Sequence, residues 1–286
     1  MLVRSITALL SLALVAGAAL AQAPAGFTLT AIEQAYLDDV LTKWEQESGK
    51  INTFNCDFTQ FVYDPVFGPG KDEAGQPIAK SEGYGAVSYQ KPDKGSFHVK
   101  ELLTWDAAQS KRVANSNLIG EHWVCDGEKV YEYRAKEKQL VETPIPPQMQ
   151  GQNIADGPLP FLFGAKADML KERYWLRVDP RAPEGSIWLA AMPKRQQDAA
   201  NYRLVELMLD SQRMLPSAMR VTAPDSSQTT YTFKLSDASI NSRVTAIWNS
   251  LFQAPRTPIG WTRVVEQPQM AAAPGQGQGP APAERR

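Results

Sequence analysis

Four side chains in this 286-residue sequence belong to the types that carry metal or nucleophile chemistry: His98, His122, Cys56 and Cys125, the whole supply of both types. A zinc site needs imidazoles and thiolates at ligand spacing, and no pair among the four has it. In "HWVC" the alternation of a strand sends His122 and Cys125 to opposite faces. A Cys–His pair assembled through space stays open, beside the plainer reading of a half-exposed strand histidine. No phosphate-binding glycine loop, nucleophile elbow or His-Glu-x-x-His motif occurs. "GYGAV" (83–87) is a glycine pair inside a strand, read as a bend or a close backbone approach. The acidic residues are scattered, and nothing selects two of them as the acid and base of a glycosidase. The residue types thus point to no catalytic residue, no metal and no cofactor.

The aromatic side chains are more informative. Ten Phe, nine Tyr and seven Trp lie largely in strand-like runs and in residues 159–175. In "INTFNCDFTQFVY" Phe54, Cys56 and Phe58 alternate with Thr53, Asn55, Asp57 and Thr59, the period of a strand with one apolar face. Residues 27–50 before it read as an amphipathic helix. Thr30 and Glu33 have capping-box spacing, and Ile32, Tyr36, Leu37, Val40, Leu41 and Trp44 form one stripe.

Strands are expected over 83–90, 96–105, 121–127, 128–134, 138–146, 175–179, 186–193, 202–210, 215–223, 228–237 and 260–267. Asp126-Gly127 marks a hairpin turn. Residues 64–80 read as a loop, 159–173 as a short helix interrupted near Gly164, and 239–252 as a second short helix. Many short strands at this spacing imply a mainly β fold: one curved antiparallel sheet or unclosed barrel, with the helices on its concave side. No period of 20 to 50 residues suggests a repeat array.

Residues 1–21 read as a signal peptide. Arg4 precedes an apolar run, and Ala19, Leu20 and Ala21 satisfy the small-x-small cleavage rule. The run is short for a membrane span, and no cysteine follows the cleavage site to take a lipid. Loss of Arg4 takes the formal charge from -1 to -2, so nothing favours nucleic acid. A folded domain is expected over 27–267, and the Gly- and Pro-rich 268–286 as a disordered tail. In an oxidising compartment Cys56 and Cys125 form either one disulfide or two buried thiols.

Several stretches resemble the LolA family of periplasmic lipoprotein carriers, a group that includes LolB- and RseB-type folds. "FNCDFTQ" after an amphipathic helix resembles its first strand, "GAVSYQKPDKGSFHV" its second and third, and "VCDGEKVYEY" its Asp-Gly hairpin. "LPFLFG" sits where that family places its lid helices. The resemblance covers about residues 30–265 in motif order. It implies a half-barrel with a helical lid and a cavity that shields acyl chains of lipoproteins in transit across the periplasm. Implied partners are lipid acyl chains or lipoproteins, with an inner-membrane donor and an outer-membrane acceptor, met by a monomer. The family's lid-holding Arg before Pro is here Lys91, which lacks the planar five-donor fork.

The expected cavity lining is Phe54, Phe58, Trp105, Trp123, Tyr133, Phe161, Phe163 and Trp188, with Lys91 as lid latch. A lipid- or lipoprotein-sensing regulatory module on the same fold is the second reading. A secreted hydrolase is the third.

Overall fold

The computed structural model describes residues 23–115, 118–147, 150, 166–242 and 251–267. The chain enters through α1 (Ala31–Gly49). Its first turn is closed reciprocally: Glu33 N donates to Thr30 Oγ1 at 3.3 Å, and Thr30 N donates to Glu33 Oε2 at 2.8 Å. This satisfies two of the backbone donors that a helix start leaves open. Leu37, Val40, Leu41, Trp44 and Ser48 are its buried face. Ile32 and Tyr36 are exposed, so the apolar stripe meets the sheet only from Leu37 onward.

Seven strands follow: β1 (Thr53–Tyr63), β2 (Ser81–Gln90), β3 (Lys94–Asp106), β4 (Lys111–Ala114), β5 (His122–Cys125), β6 (Lys129–Arg134) and β7 (Gln139–Pro144). Then come α2 (Ala167–Arg173), β8 (Tyr174–Asp179), β9 (Ser186–Pro193), the short α3 (Gln196–Ala199), β10 (Leu204–Asp210), β11 (Pro216–Thr222), β12 (Gln228–Phe233), β13 (Ser239–Ile240) and β14 (Thr262–Val265). One sheet takes in all the strands, in the order β14-β7-β6-β5-β3-β2-β1-β12-β11-β10-β9-β8. β4 is added to β3 and β13 to β1. The end strands do not pair with each other, so the barrel stays unclosed.

The fold expected from sequence is present with three corrections. β14 runs parallel to β7, which makes the sheet mixed rather than wholly antiparallel. Ser239–Ile240 begins as a strand on β1, not as a helix. β4 was not anticipated, because four residues carry too little alternation to register. The segments expected as signal peptide and tail lie outside the described residues, as do 159–165 of the expected lid helix and 243–250 of the expected second helix.

Register decides which side chains share a face. Phe58 lies opposite Phe233 on β12 and Gly85 on β2, and Gly85 lies opposite Val99 on β3. On this face Phe54, Cys56, Phe58, Val87, Phe97, Val99, Leu207, Tyr231 and Phe233 join Leu37, Val40, Leu41 and Trp44 of α1 in one cluster. The sheet curls around α1 because that single helix stripe and the strands' inner face bury each other. Each fully buried large side chain there contributes roughly 1.5–3 kcal/mol against exposure.

The register shifts between Tyr84 and Gly85. A Cβ on Gly85 would lie 2.2 Å from the His98 carbonyl oxygen and 2.7 Å from Phe58 Cζ. The glycine pair is thus both the bend and the close approach expected of it, and it makes room for the Phe58 ring. Among the described residues no helix is long and apolar enough to cross a membrane.

Candidate functional site

The two cysteines stand apart from each other and from the histidines. Cys56 and Cys125 are both buried free thiols, on strands separated by β2 and β3. Three strand spacings of about 4.8 Å exceed the reach of a disulfide, so the bridge allowed by the sequence is not made. Cys56 Sγ donates to the Asp57 carbonyl at 3.3 Å and Cys125 Sγ to the Asp93 carbonyl at 3.1 Å. Burial pushes both thiols up to about 11, which leaves little thiolate at neutral pH.

The two histidines face away from the cysteines. His98 and His122 are directly opposed on β3 and β5. Their rings stack at 3.9 Å, and His122 stacks on Tyr133 at 4.1 Å. Burial lowers both imidazoles, His122 to about 4. Among the described residues no three His, Cys, Asp or Glu side chains come together as metal ligands.

The expected cavity lining divides by face. Phe54 and Phe58 lie on the concave face, where Phe58 is 1% exposed. It stacks on Phe97 at 4.6 Å, with Tyr231 and Phe233 edge-on at 5.7 and 6.3 Å. This is a packed aromatic core under α1. Trp123 extends it, stacking on Phe97 at 6.1 Å, and is half-buried.

Tyr133 and Trp188 belong to the opposite face and share no cavity with Phe58. Trp123 lies opposite Glu132, which turns Tyr133 outward to the histidine stack. Leu189 is the fully buried neighbour in β9, so Trp188 turns outward, under the Arg181 guanidinium at 6.0 Å. Phe161 and Phe163 lie outside the described residues.

Trp105 shows the effect of the bulge. Before it Phe97 and Val99 face inward. After it Leu102 lies opposite Gly83 and Thr104 opposite Ser81, so the inward positions become even-numbered and Trp105 takes the other parity. The residue nevertheless borders an open cavity of about 570 Å³ at the end of β1, β2 and β3. Val62, Ser81, Leu102 and Thr104 supply its sheet wall, and Phe67, Pro69 and Leu118 come from two loops.

Sequence reading missed Val62, Leu102, Phe67 and Leu118. Val62 continues the alternation of β1 and was within reach. Leu102 was hidden by the bulge, and Phe67 and Leu118 sit in loops without periodicity. Beyond the aromatic core, the concave face therefore opens into a space whose walls combine these apolar side chains with Asp64, Lys80, Asp225 and Ser227.

Lys91 Nζ donates to the Gly49 carbonyl at 3.0 Å, so among the described residues it holds the end of α1. α2 is tied to α1 separately. Ala167 N donates to Glu45 Oε2 at 3.0 Å, and Lys171 pairs with Asp38. Arg173, the last residue of α2, forms a buried ion pair with Asp198 of α3 at 2.8 Å.

No family model and no curated protein matches the sequence. Solved structures do. An uncharacterized conserved protein from Thermus thermophilus aligns at 11% identity over 81% of this chain and 99% of its own, with a TM-score of 0.43. A LolA superfamily protein from Nitrosomonas europaea aligns at 7% identity over 76% and 97%, TM-score 0.33. The MucA/MucB complex of Pseudomonas aeruginosa aligns at 14% identity over 77% and 61%, TM-score 0.35.

Proposed function

We propose that this protein is an exported carrier that shields lipid acyl chains, those of lipoproteins among them, in the cavity at the open end of its half-barrel. The observation that carries the reading is that cavity: about 570 Å³, open at the end of the strands, with Val62, Leu102, Phe67, Trp105 and Leu118 among its walls. Small-molecule pockets run from about 300 to 1,000 Å³. An acyl chain of about 16 carbons left in water costs on the order of 10 kcal/mol at about 0.8 per methylene, so a soluble carrier has to offer apolar walls. The motif order shared with the LolA family supports the same reading, as does the leader-like start of the chain. The aromatic core around Phe58 plays a structural part, supporting the cavity rather than lining it.

The test is a mass spectrum of lipid extracted from protein purified without detergent, together with titration by a fluorescent fatty acid. Bound acyl chains that disappear in Leu102→Glu are expected. Absence of lipid and no saturable binding would overturn the reading. Transfer of the probe from donor to acceptor vesicles separates a carrier from a sensor that only holds its ligand. An N-terminus beginning at Gln22 in the exported protein would establish cleavage after Ala21.

A further inference from the structure

We infer that the apolar rim of this cavity, Val66 and Phe67 on one loop and Leu118 and Ile119 on the other, docks on the surface of a zwitterionic lipid bilayer; the inference rests on the acyl-binding reading above for its purpose but not for its test.

The rim is built, not frayed. Val66 and Phe67 are 71% and 80% exposed, and Leu118 and Ile119 are 45% and 55% exposed. Exposed large apolar side chains on one loop are common, but two such pairs around one cavity mouth form a patch. Asp64 fixes the first pair. Its Oδ1 accepts from Val66 N at 3.0 Å and Phe67 N at 2.7 Å, and its Oδ2 accepts from Lys80 Nζ at 2.8 Å. A Cβ on Gly68 would lie 2.2 Å from the Asp64 carbonyl oxygen, so glycine is required for this tight turn. The turn presents both side chains outward, and a preorganised apolar tip loses little entropy when it docks.

Three observations select the occupant. First, Phe67 and Leu118 line the cavity as well as its rim. A surface seated on the rim is therefore continuous with the acyl space, and a chain could pass between them without crossing water. Second, the patch is small. Four such side chains cover on the order of 500 Å² even when fully buried, against about 800 Å² per partner in a stable protein interface. Third, the charges beside it are mixed: Lys80 is paired with Asp64, and Lys71 lies beside Asp72 and Glu73 in the same loop. Nothing here is the polybasic patch that anionic lipid recruits. Shallow insertion of an apolar loop tip needs no such charge.

The experiment uses the full chain and phosphatidylcholine vesicles. Val66 and Ile119 flank the cavity without lining it, so the V66S/I119S double variant leaves the acyl walls in place. Wild-type protein is expected to float with the vesicles in a density gradient, with little change between low and high salt. V66S/I119S is expected to float at least fivefold less while binding a fluorescent fatty acid within twofold of wild type. An environment-sensitive dye on Val66→Cys should shift to shorter wavelength with vesicles, and the same dye on Lys136→Cys should not; the native cysteines are buried.

No flotation of the wild type would overturn the inference, as would flotation that survives the double substitution or that requires anionic lipid. Self-association abolished by V66S/I119S, without vesicle binding, would assign the rim to a second copy and overturn it equally. Vesicle docking with no fatty-acid binding would support the rim and defeat the acyl-binding reading instead.

Discussion

Lys91 Nζ and the Gly49 carbonyl meet at 3.0 Å, joining the β2–β3 turn to the last residue of α1. That helix carries no basic residue in its last turn. Lys91 therefore brings a positive charge to the negative end of the helix from outside it.

Lys91→Ala should lower stability only slightly, by about 0.5 kcal/mol. That corresponds to a fall in melting temperature of about 1–2 °C. Release of a bound acyl probe should change little, because Lys91 follows the Thr53–Gln90 end of β1 and β2 while the cavity lies at their Val62–Ser81 end. Stopped-flow release alongside thermal melting measures both. A release rate well above wild type would restore the latch role to Lys91.

Gly85→Ala should destabilise by about 2–3 kcal/mol. The new methyl group meets the His98 carbonyl oxygen, which is held by the strand, and the Phe58 ring, which is held by Phe97. Neither can withdraw freely. Urea unfolding of the variant checks this, and a loss below about 0.5 kcal/mol would show that the bulge relaxes.

The stacked histidines give the stability a pH dependence of defined sign. Burial lowers His122 to about 4 in the folded protein, and His98 is lowered as well. The unfolded chain takes up these protons near the ordinary value of about 6.5, so it is the better proton acceptor in between. The contribution is complete above about pH 6.5 and is lost as the pH falls toward 4. Discounted for partial exposure, the loss attributable to His122 is on the order of 1–2 kcal/mol. Urea midpoints between pH 7 and pH 4.5 should fall for wild type and fall less for His122→Gln. Parallel slopes in the two proteins would acquit the histidine.

The fold was legible where period and face coincide. β1 shows its buried side at every second residue because both its neighbours in the sheet are antiparallel and that face meets α1. The α1 cap was legible because Thr30 and Glu33 carry the whole signal themselves. The site was less legible. The bulge at Gly85 reverses the parity of β3 beyond Lys100, and no residue type in β3 announces it, so Trp105 was placed inward and Leu102 overlooked. Tyr133 and Trp188 were aromatic and in strands, but composition does not choose a face, and the histidine stack and Arg181 give each ring a partner outside. Lys91 was read as a latch on a covering helix or loop. Which helix it reached depended on tertiary geometry.

The concave face thus holds two regions that sequence could not separate, and one pair of substitutions separates them. Phe58 is enclosed by Phe97, Tyr231 and Phe233. A carboxylate there would meet aromatic rings, and an unpaired buried charge costs several kcal/mol out of a total stability of about 5–15. Phe58→Glu is therefore expected to unfold the protein, with loss of its melting transition and of fatty-acid binding together. Leu102 lines the open cavity, where a carboxylate keeps access to water. Leu102→Glu is expected to keep its melting transition within a few degrees of wild type and to weaken acyl binding at least tenfold. Circular dichroism melts and probe titrations on the two variants decide the matter. If Phe58→Glu stays folded and only loses binding, cargo space reaches under α1 and the aromatic cluster is its wall. If Leu102→Glu binds as wild type does, the cavity at the strand ends is not where the chain goes.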